Sequence, residues 1–194
     1  MATHATPASM LKESLDEYLE TAKFCCDYKK SDGKWDKFQG NSCLGFPAAV
    51  LLFSIIDSIG SYFRKDKSFK IKIGAKDSSI NSDGWEHFKI LNSKYFGQNM
   101  SQEFMKAIYS KFRSPLIHNS VLGKNTILIS ETGPINEGIE RIVFGEFLPQ
   151  ENLEHHTYLV NLQPLYELCK NAVEKFKKDI DEVVPNSKQG KNFN

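Results

Sequence analysis

Apolar residues along this chain follow two rhythms, and the switch between them divides it. Leu11, Leu15, Tyr18, Leu19, Ala22 and Cys26 recur at steps of three and four, with Lys12, Glu13, Asp16, Glu17, Glu20 and Lys23 between them. That spacing predicts an amphipathic helix from Pro7 or Ser9 to Lys30, one stripe packed and the other wet. Lys30-Ser-Asp-Gly-Lys34 joins charge to a turn-forming Asp-Gly pair and breaks it, and Trp35 and Phe38 are expected to anchor the next loop. From Cys43 to Lys65 a second helix is apolar nearly all round: Leu44, Phe46, Val50, Leu51, Leu52, Phe53, Ile55, Ile56, Ile59, Tyr62 and Phe63 leave no wet face. Such a helix is the centre of a core. Asp57 interrupts it, and a carboxylate there has to find a donor or reach water.

Residues 64–82 read as a loop with a short strand at Phe69 to Ile73, followed by a short helix over Gly84 to Tyr95. Ser101 is a natural N-cap for the next helix, along which Phe104, Ile108 and Phe112 stack at intervals of four, widened by Met105 and Tyr109. Pro115 lacks a backbone donor and predicts a kink or an end near Ser114. Beyond it the rhythm shortens. Asn125 to Glu131, Ile139 to Phe147 and His156 to Leu162 are short, rich in Ile, Val, Phe, Leu, Thr and Tyr, and separated by Gly133-Pro134, Gly138 and Pro149. A last helix from Pro164 to Val183 carries Leu165, Leu168, Ala172, Val173, Phe176, Ile180 and Val183 on one face. The expected fold is mainly α: a helical bundle of four to five helices with a small antiparallel β-hairpin or meander, at about 121–162, inserted before the last helix. Residues 1–185 are expected to form a single domain and 186–194 a disordered tail.

Composition narrows the partners. In 194 residues, 25 Lys and Arg stand against 24 Asp and Glu, for a net charge of +1. This excludes a protein coated in positive charge for DNA. The near-zero sum is an average of two opposed segments, residues 64–82 at net +4 and residues 131–154 at net −5. Within the basic segment, Lys67, Lys70 and Lys72 are candidate phosphate-binding residues, a reading weighed against a merely solvated loop. The apolar run from Phe46 to Ile56 is short of the roughly 18–20 residues a bilayer needs, so no membrane partner is expected. The first ten residues hold neither a basic region nor an apolar one, so no secretory leader is expected and the protein is expected to be cytoplasmic.

Cys25, Cys26, Cys43 and Cys169 form no C-x-x-C pair and no zinc spacing with His, and read as reduced thiols. Adjacent His155 and His156 would point to opposite faces of a strand, which does not suit one ion. No metal and no cofactor is expected. His87 reads as a satisfied core or surface histidine. No Walker loop, Rossmann fingerprint or nucleophile elbow occurs.

The stretch that carries chemistry is Tyr109-Ser-Lys-Phe-Arg113-Ser-Pro-Leu-Ile-His118-Asn119, an Arg followed after four residues by a His at the end of an apolar-striped helix. It resembles the R-x4-6-H motif of the HEPN superfamily of compact helical domains. Leu51-Leu-Phe-Ser-Ile-Ile-Asp57-Ser-Ile-Gly60 is similar to the central helix of HEPN-like bacterial proteins. The resemblance implies a metal-independent endoribonuclease or RNA-processing protein of defence or toxin type. Its site would be built around Arg113 and His118 and assembled across a homodimer, with an antitoxin as a further candidate partner. His118 would then exchange a proton near neutral pH, and Arg113 would hold the scissile phosphate. Asn119 is a candidate hydrogen-bond donor to phosphate or base, and Tyr109, one turn before Arg113, a candidate lid or stacking ring. Ser114 stands where many of these nucleases carry an acid, base or amide, and it can hydrogen-bond but not titrate. Residues five apart on an ideal helix differ by roughly 140°, so Arg113 and His118 need a bend at Pro115 or a second copy to meet. A second reading stays open. Asp57 pairs with Arg113 or His118 in a polar network that fixes helix packing, and the domain is a non-catalytic dimeric interaction or nucleotide- or RNA-binding module.

Overall fold

The computed structural model describes residues 6–30, 43–130, 142–147 and 157–192. Helix α1 (Pro7–Asp27) opens on a capping box: the Thr6 hydroxyl accepts the Ser9 N–H at 3.1 Å and the Thr6 N–H donates back to the Ser9 hydroxyl. Its predicted stripe is buried at Leu15, Leu19, Ala22 and Cys26. Helix α2 (Gly45–Tyr62) is the core element expected of an all-round apolar sequence, packed against α1, a later 3-10 segment and the last helix. At mean hydropathy 1.4 over 18 residues it is long and apolar enough to cross a bilayer. Half of it is buried inside the protein: Ala48, Ala49, Leu52, Phe53, Ile55, Ile56 and Ile59 are fully buried, while Phe46 in its first turn is 48% exposed.

The basic loop holds a small antiparallel hairpin, β1 (Ile71–Ile73) with β2 (Lys76–Ser78), turning at Gly74 in the left-handed region. The predicted helix after it is a tighter coil, a 3-10 segment over Gly84–Asn92 whose His87, Phe88, Lys89, Ile90 and Leu91 are all buried. Two aromatic clusters lock these parts. Phe63 packs against Phe69, Tyr95 and Phe176, and the Tyr95 hydroxyl donates to Asp179 on the last helix. Phe53 meets Phe88 and Phe112, and Phe88 stands edge-on to Tyr109.

Of the kink or end expected near Ser114, the end does not occur: the regular winding of the motif helix is interrupted there and then resumes. Helix α3 (Gln102–Ile108), capped by the Ser101 side chain, widens into a π-turn over Tyr109–Arg113 and continues as α4 (Ser114–Asn119). Pro115 sits in the first turn of α4, where a missing donor is tolerated. The wider turn lets Ser114 N–H reach back to Tyr109 O, and the Lys111 carbonyl that Pro115 cannot serve accepts the Gly123 N–H at 2.7 Å. A proline is therefore absorbed by a π-turn and an outside donor instead of breaking the helix.

The insertion before the last helix is a three-stranded sheet of order β3 (Thr126–Ile129), β5 (Thr157–Asn161), β4 (Phe144–Phe147). The β4–β5 pair is antiparallel, but β3 runs parallel to β5, so the order is not that of a meander. The central strand is the one whose Leu159, Val160 and Asn161 are buried. Helix α5 (Leu162–Asn186) starts at once and buries Leu165, Cys169, Ala172, Val173, Phe176 and Ile180. It runs past the expected stop. Pro185 lies in its final turn, where only one backbone bond is lost. The segment expected to be a disordered tail is packed as far as it is described: Ser187 is buried, its hydroxyl accepts the Gly190 N–H, and the Ser61 hydroxyl donates to Gln189. All four cysteines are buried free thiols, and burial pushes Cys26 up to about 12. His155 and His156 lie outside the described residues.

Candidate functional site

The site begins with a spacing inside α2. Gly60 follows Asp57 by three residues, so both lie on one face of the helix. A Cβ on Gly60 would collide with the His87 carbonyl; its absence lets the 3-10 segment lie directly on α2. His87 is thereby pressed against Asp57, and its Nδ1 stands 2.9 Å from Asp57 Oδ1.

Arg113 arrives on the second oxygen of the same carboxylate. Its Nη2 lies 2.5 Å from Asp57 Oδ2, delivered by the last residue of the π-turn. Tyr109, the first residue of that turn, offers its ring face to the guanidinium at 5.4 Å and its hydroxyl to Nη1 at 3.4 Å. The Tyr109 hydroxyl also lies beside Gly84, which has a positive φ and no side chain to fill that space.

Electrostatics set the protonation pattern. Burial pushes the Asp57 carboxyl up, but the His87 hydrogen bond and the Arg113 charge outweigh it and hold the group below its ordinary range. An ionised carboxylate only accepts, so the proton of the Asp57–His87 bond sits on Nδ1. His87 Nε2 and Arg113 Nε are buried without a hydrogen-bond partner among the described residues. The carboxylate of Asp83 lies 3.6 Å from His87 Nε2 on a side chain 72% exposed, and it pairs with Arg64.

The loop that carries Asp83 has its own anchors. The Glu86 carboxylate accepts the Asn81 and Ser82 N–H groups, and these bonds outweigh the burial that would raise its pKa. Lys89, nearly fully buried, donates to the Ser79 carbonyl at 3.0 Å, pairs with Glu86 at 3.2 Å and faces the Trp85 ring.

Of the residues expected at the site, the structure brings Arg113, Asp57 and Tyr109 together. Ser114 is half-buried at the start of α4, while His118 and Asn119 are exposed at its other end; no contact joins either to Arg113 among the described residues. Lys67, Lys70 and Lys72 are exposed and stand apart from Arg113; Lys67 lines a groove of about 720 Å³ with Arg64, Lys65, Lys188 and Lys191. His87, which the sequence read only as a satisfied core or surface histidine, is buried with its Nδ1 on Asp57 and so joins this cluster. Its signal was present as a pair of features, a carboxylate with a glycine three residues on in an otherwise apolar helix, but only tertiary contact joins them to residue 87. Among the described residues no group of three or more His, Cys, Asp or Glu is placed to hold a metal ion. Comparison with protein-family models, curated proteins and solved structures finds no match.

Proposed function

We propose that the chain is a HEPN-like domain that cleaves RNA without a metal ion, with Arg113 as the residue that holds the scissile phosphate. The observation that carries this reading is the state of Arg113. Its guanidinium, with a side chain 16% exposed, is fixed on one edge by Asp57 and covered by Tyr109, while Nε bonds nothing among the described residues. A cation held this way, with an imidazole on the same carboxylate, suits a dianionic phosphorane better than a solvated lysine does. RNA supplies its own nucleophile, the 2′-hydroxyl, so an anion holder and a proton acceptor suffice.

A homodimer belongs to this reading. Ile117, beside His118, and Val121, just past the helix end, are 37% and 50% exposed, apolar surface that a second copy or an RNA base would cover. His118 and Asn119 would contribute from that face.

One observation favours a second reading. Asp57 and Arg113 already satisfy each other, so the pair can serve as a brace between α2 and the motif helix, in a module that binds partners or nucleotides without cutting them. Purified protein incubated with single-stranded RNA in EDTA separates the two. The nuclease reading expects 2′,3′-cyclic phosphate ends from the wild type and none from Arg113→Ala. The brace reading expects no cleavage by either, and a lowered melting temperature or a halved light-scattering mass for the variant.

A further inference from the structure

The R-x4-H motif directs attention to His118, yet the imidazole that shares a carboxylate with Arg113 is His87. Three observations bear on what that ring does. Its Nδ1–H is engaged by an ionised carboxylate, which orients the ring and leaves Nε2 as the nitrogen free to take a proton. That Nε2 belongs to a side chain only 8% exposed and has no hydrogen-bond partner among the described residues, an arrangement a purely structural histidine avoids. What lies over it is no core residue but the carboxylate of Asp83, at 3.6 Å, on a side chain that is itself 72% exposed. Asp83 also pairs with Arg64, whose own side chain is only 15% exposed. His118, in contrast, is exposed at the end of α4 and contacts neither Arg113 nor Asp57 among the described residues.

We infer that His87, not His118, is the proton-transfer residue that works with Arg113, and that Asp83 is a displaceable cover over its Nε2. The inference rests on the RNA-cleaving reading above and names the chemistry within it. With Asp83 swung toward solvent, the 2′-hydroxyl of a bound ribonucleotide gives its proton to Nε2. The 2′-oxygen forms a bond to phosphorus, and the P–O5′ bond breaks with its electron pair on the 5′-oxygen. That oxygen takes a proton from water, and the hydroxide left behind recovers the proton from the imidazolium. Asp57 stabilises the charged ring while it exists, as Arg113 neutralises the phosphorane. His118 is left to contact RNA or a second copy. The cover has a physical logic: a carboxylate over the base keeps phosphate out until a stronger cation or the RNA itself displaces it.

The test is single-turnover cleavage of an RNA oligonucleotide in EDTA by the wild type, His87→Asn, His118→Asn, Asp83→Ala and Arg113→Ala, each with its melting temperature. Asparagine keeps an N–H donor for Asp57 but cannot accept and release a proton. His87→Asn is expected to slow cleavage at saturating enzyme by about 100-fold or more while melting close to the wild type, whereas His118→Asn, at a residue that contacts RNA or a second copy, is expected to raise the enzyme concentration needed for half-maximal cleavage without a comparable loss of the saturating rate. Asp83→Ala is expected to cleave several-fold faster. Should His87→Asn fail to fold, Asp83→Ala decides: no gain in rate means that His87 only braces Asp57. Cleavage that Arg113→Ala stops but His87→Asn does not overturns this inference and leaves the nuclease reading standing. A wild type that cuts nothing overturns both.

Discussion

Asp57 and Arg113 meet at 2.5 Å with side chains 20% and 16% exposed, so each is mostly withdrawn from water; Asp57 is the counter-charge of Arg113, and Asp57 is compensated by the His87 hydrogen bond together with the Arg113 charge. The pair joins the apolar centre of the bundle to the π-turn of the motif helix, and His87 joins the 3-10 segment to the same carboxylate. Three elements thus converge on one acidic side chain.

Replacing that side chain should therefore be expensive. Asp57→Asn leaves a largely buried guanidinium without its counter-charge, and a loss of about 2–3 kcal/mol is expected, toward the lower end for a buried pair because some water contact remains. The pH dependence has a definite sign. The folded-state pKa of Asp57 lies below its ordinary value of 3.8, so in acid the unfolded chain binds the proton first. The contribution is fully present above about pH 4 and disappears as pH falls through the folded value. Chemical denaturation of wild type and variant between pH 7 and 3 should show the gap narrowing with acid, whereas a constant gap would mean that the carboxylate charge is not what stabilises.

Gly60 tests how His87 is brought to Asp57. The collision of a Cβ with the His87 carbonyl forces the 3-10 segment off α2, and Gly60→Ala is expected to cost about 2 kcal/mol or more despite alanine's better helix propensity. A melting curve at or above that of the wild type would show that the two elements are not in close backbone contact.

Gly123 tests the repair of the proline gap. A Cβ there would lie 2.9 Å from the Lys111 carbonyl oxygen and 3.0 Å from the Lys111 Cα, so Gly123→Ala should weaken the bond that replaces the Pro115 donor. A loss of about 1–2 kcal/mol is expected. Amide exchange gives the local readout: the Gly123 N–H should be protected in the wild type and exposed in the variant.

Legibility followed the range of the interaction. The long helices were visible because their stripes depend on residues three and four apart: Leu15 and Leu19 in α1, Leu165, Ala172 and Phe176 in α5 are buried as the spacing requires. Asp57 announced itself as a charge in an apolar run, and the Arg113 pairing was among the alternatives the sequence allowed. What stayed hidden depends on distant partners. Pro115 reads as a kink or an end because Gly123, its compensating donor, is eight residues away in a separate turn. The sheet order hides because the alternation along β3 and β5 is the same whether they pair in parallel or antiparallel. His87 hides because its environment is made by Gly60 and Asp57, and a single histidine in a short apolar helix carries no mark of its neighbours.

The central claim, that Arg113 acts on phosphate and is not only a brace, is tested most directly by Arg113→Lys. Lysine keeps the charge for Asp57 but replaces the planar fork with a single point donor. Rates of RNA cleavage in EDTA and melting temperatures of the two proteins should be measured side by side. Arg113→Lys is expected to cleave about 100-fold or more slowly with little change in melting; an unchanged rate, or a loss of activity matched by unfolding, would show that the planar fork of Arg113 does not act on phosphate.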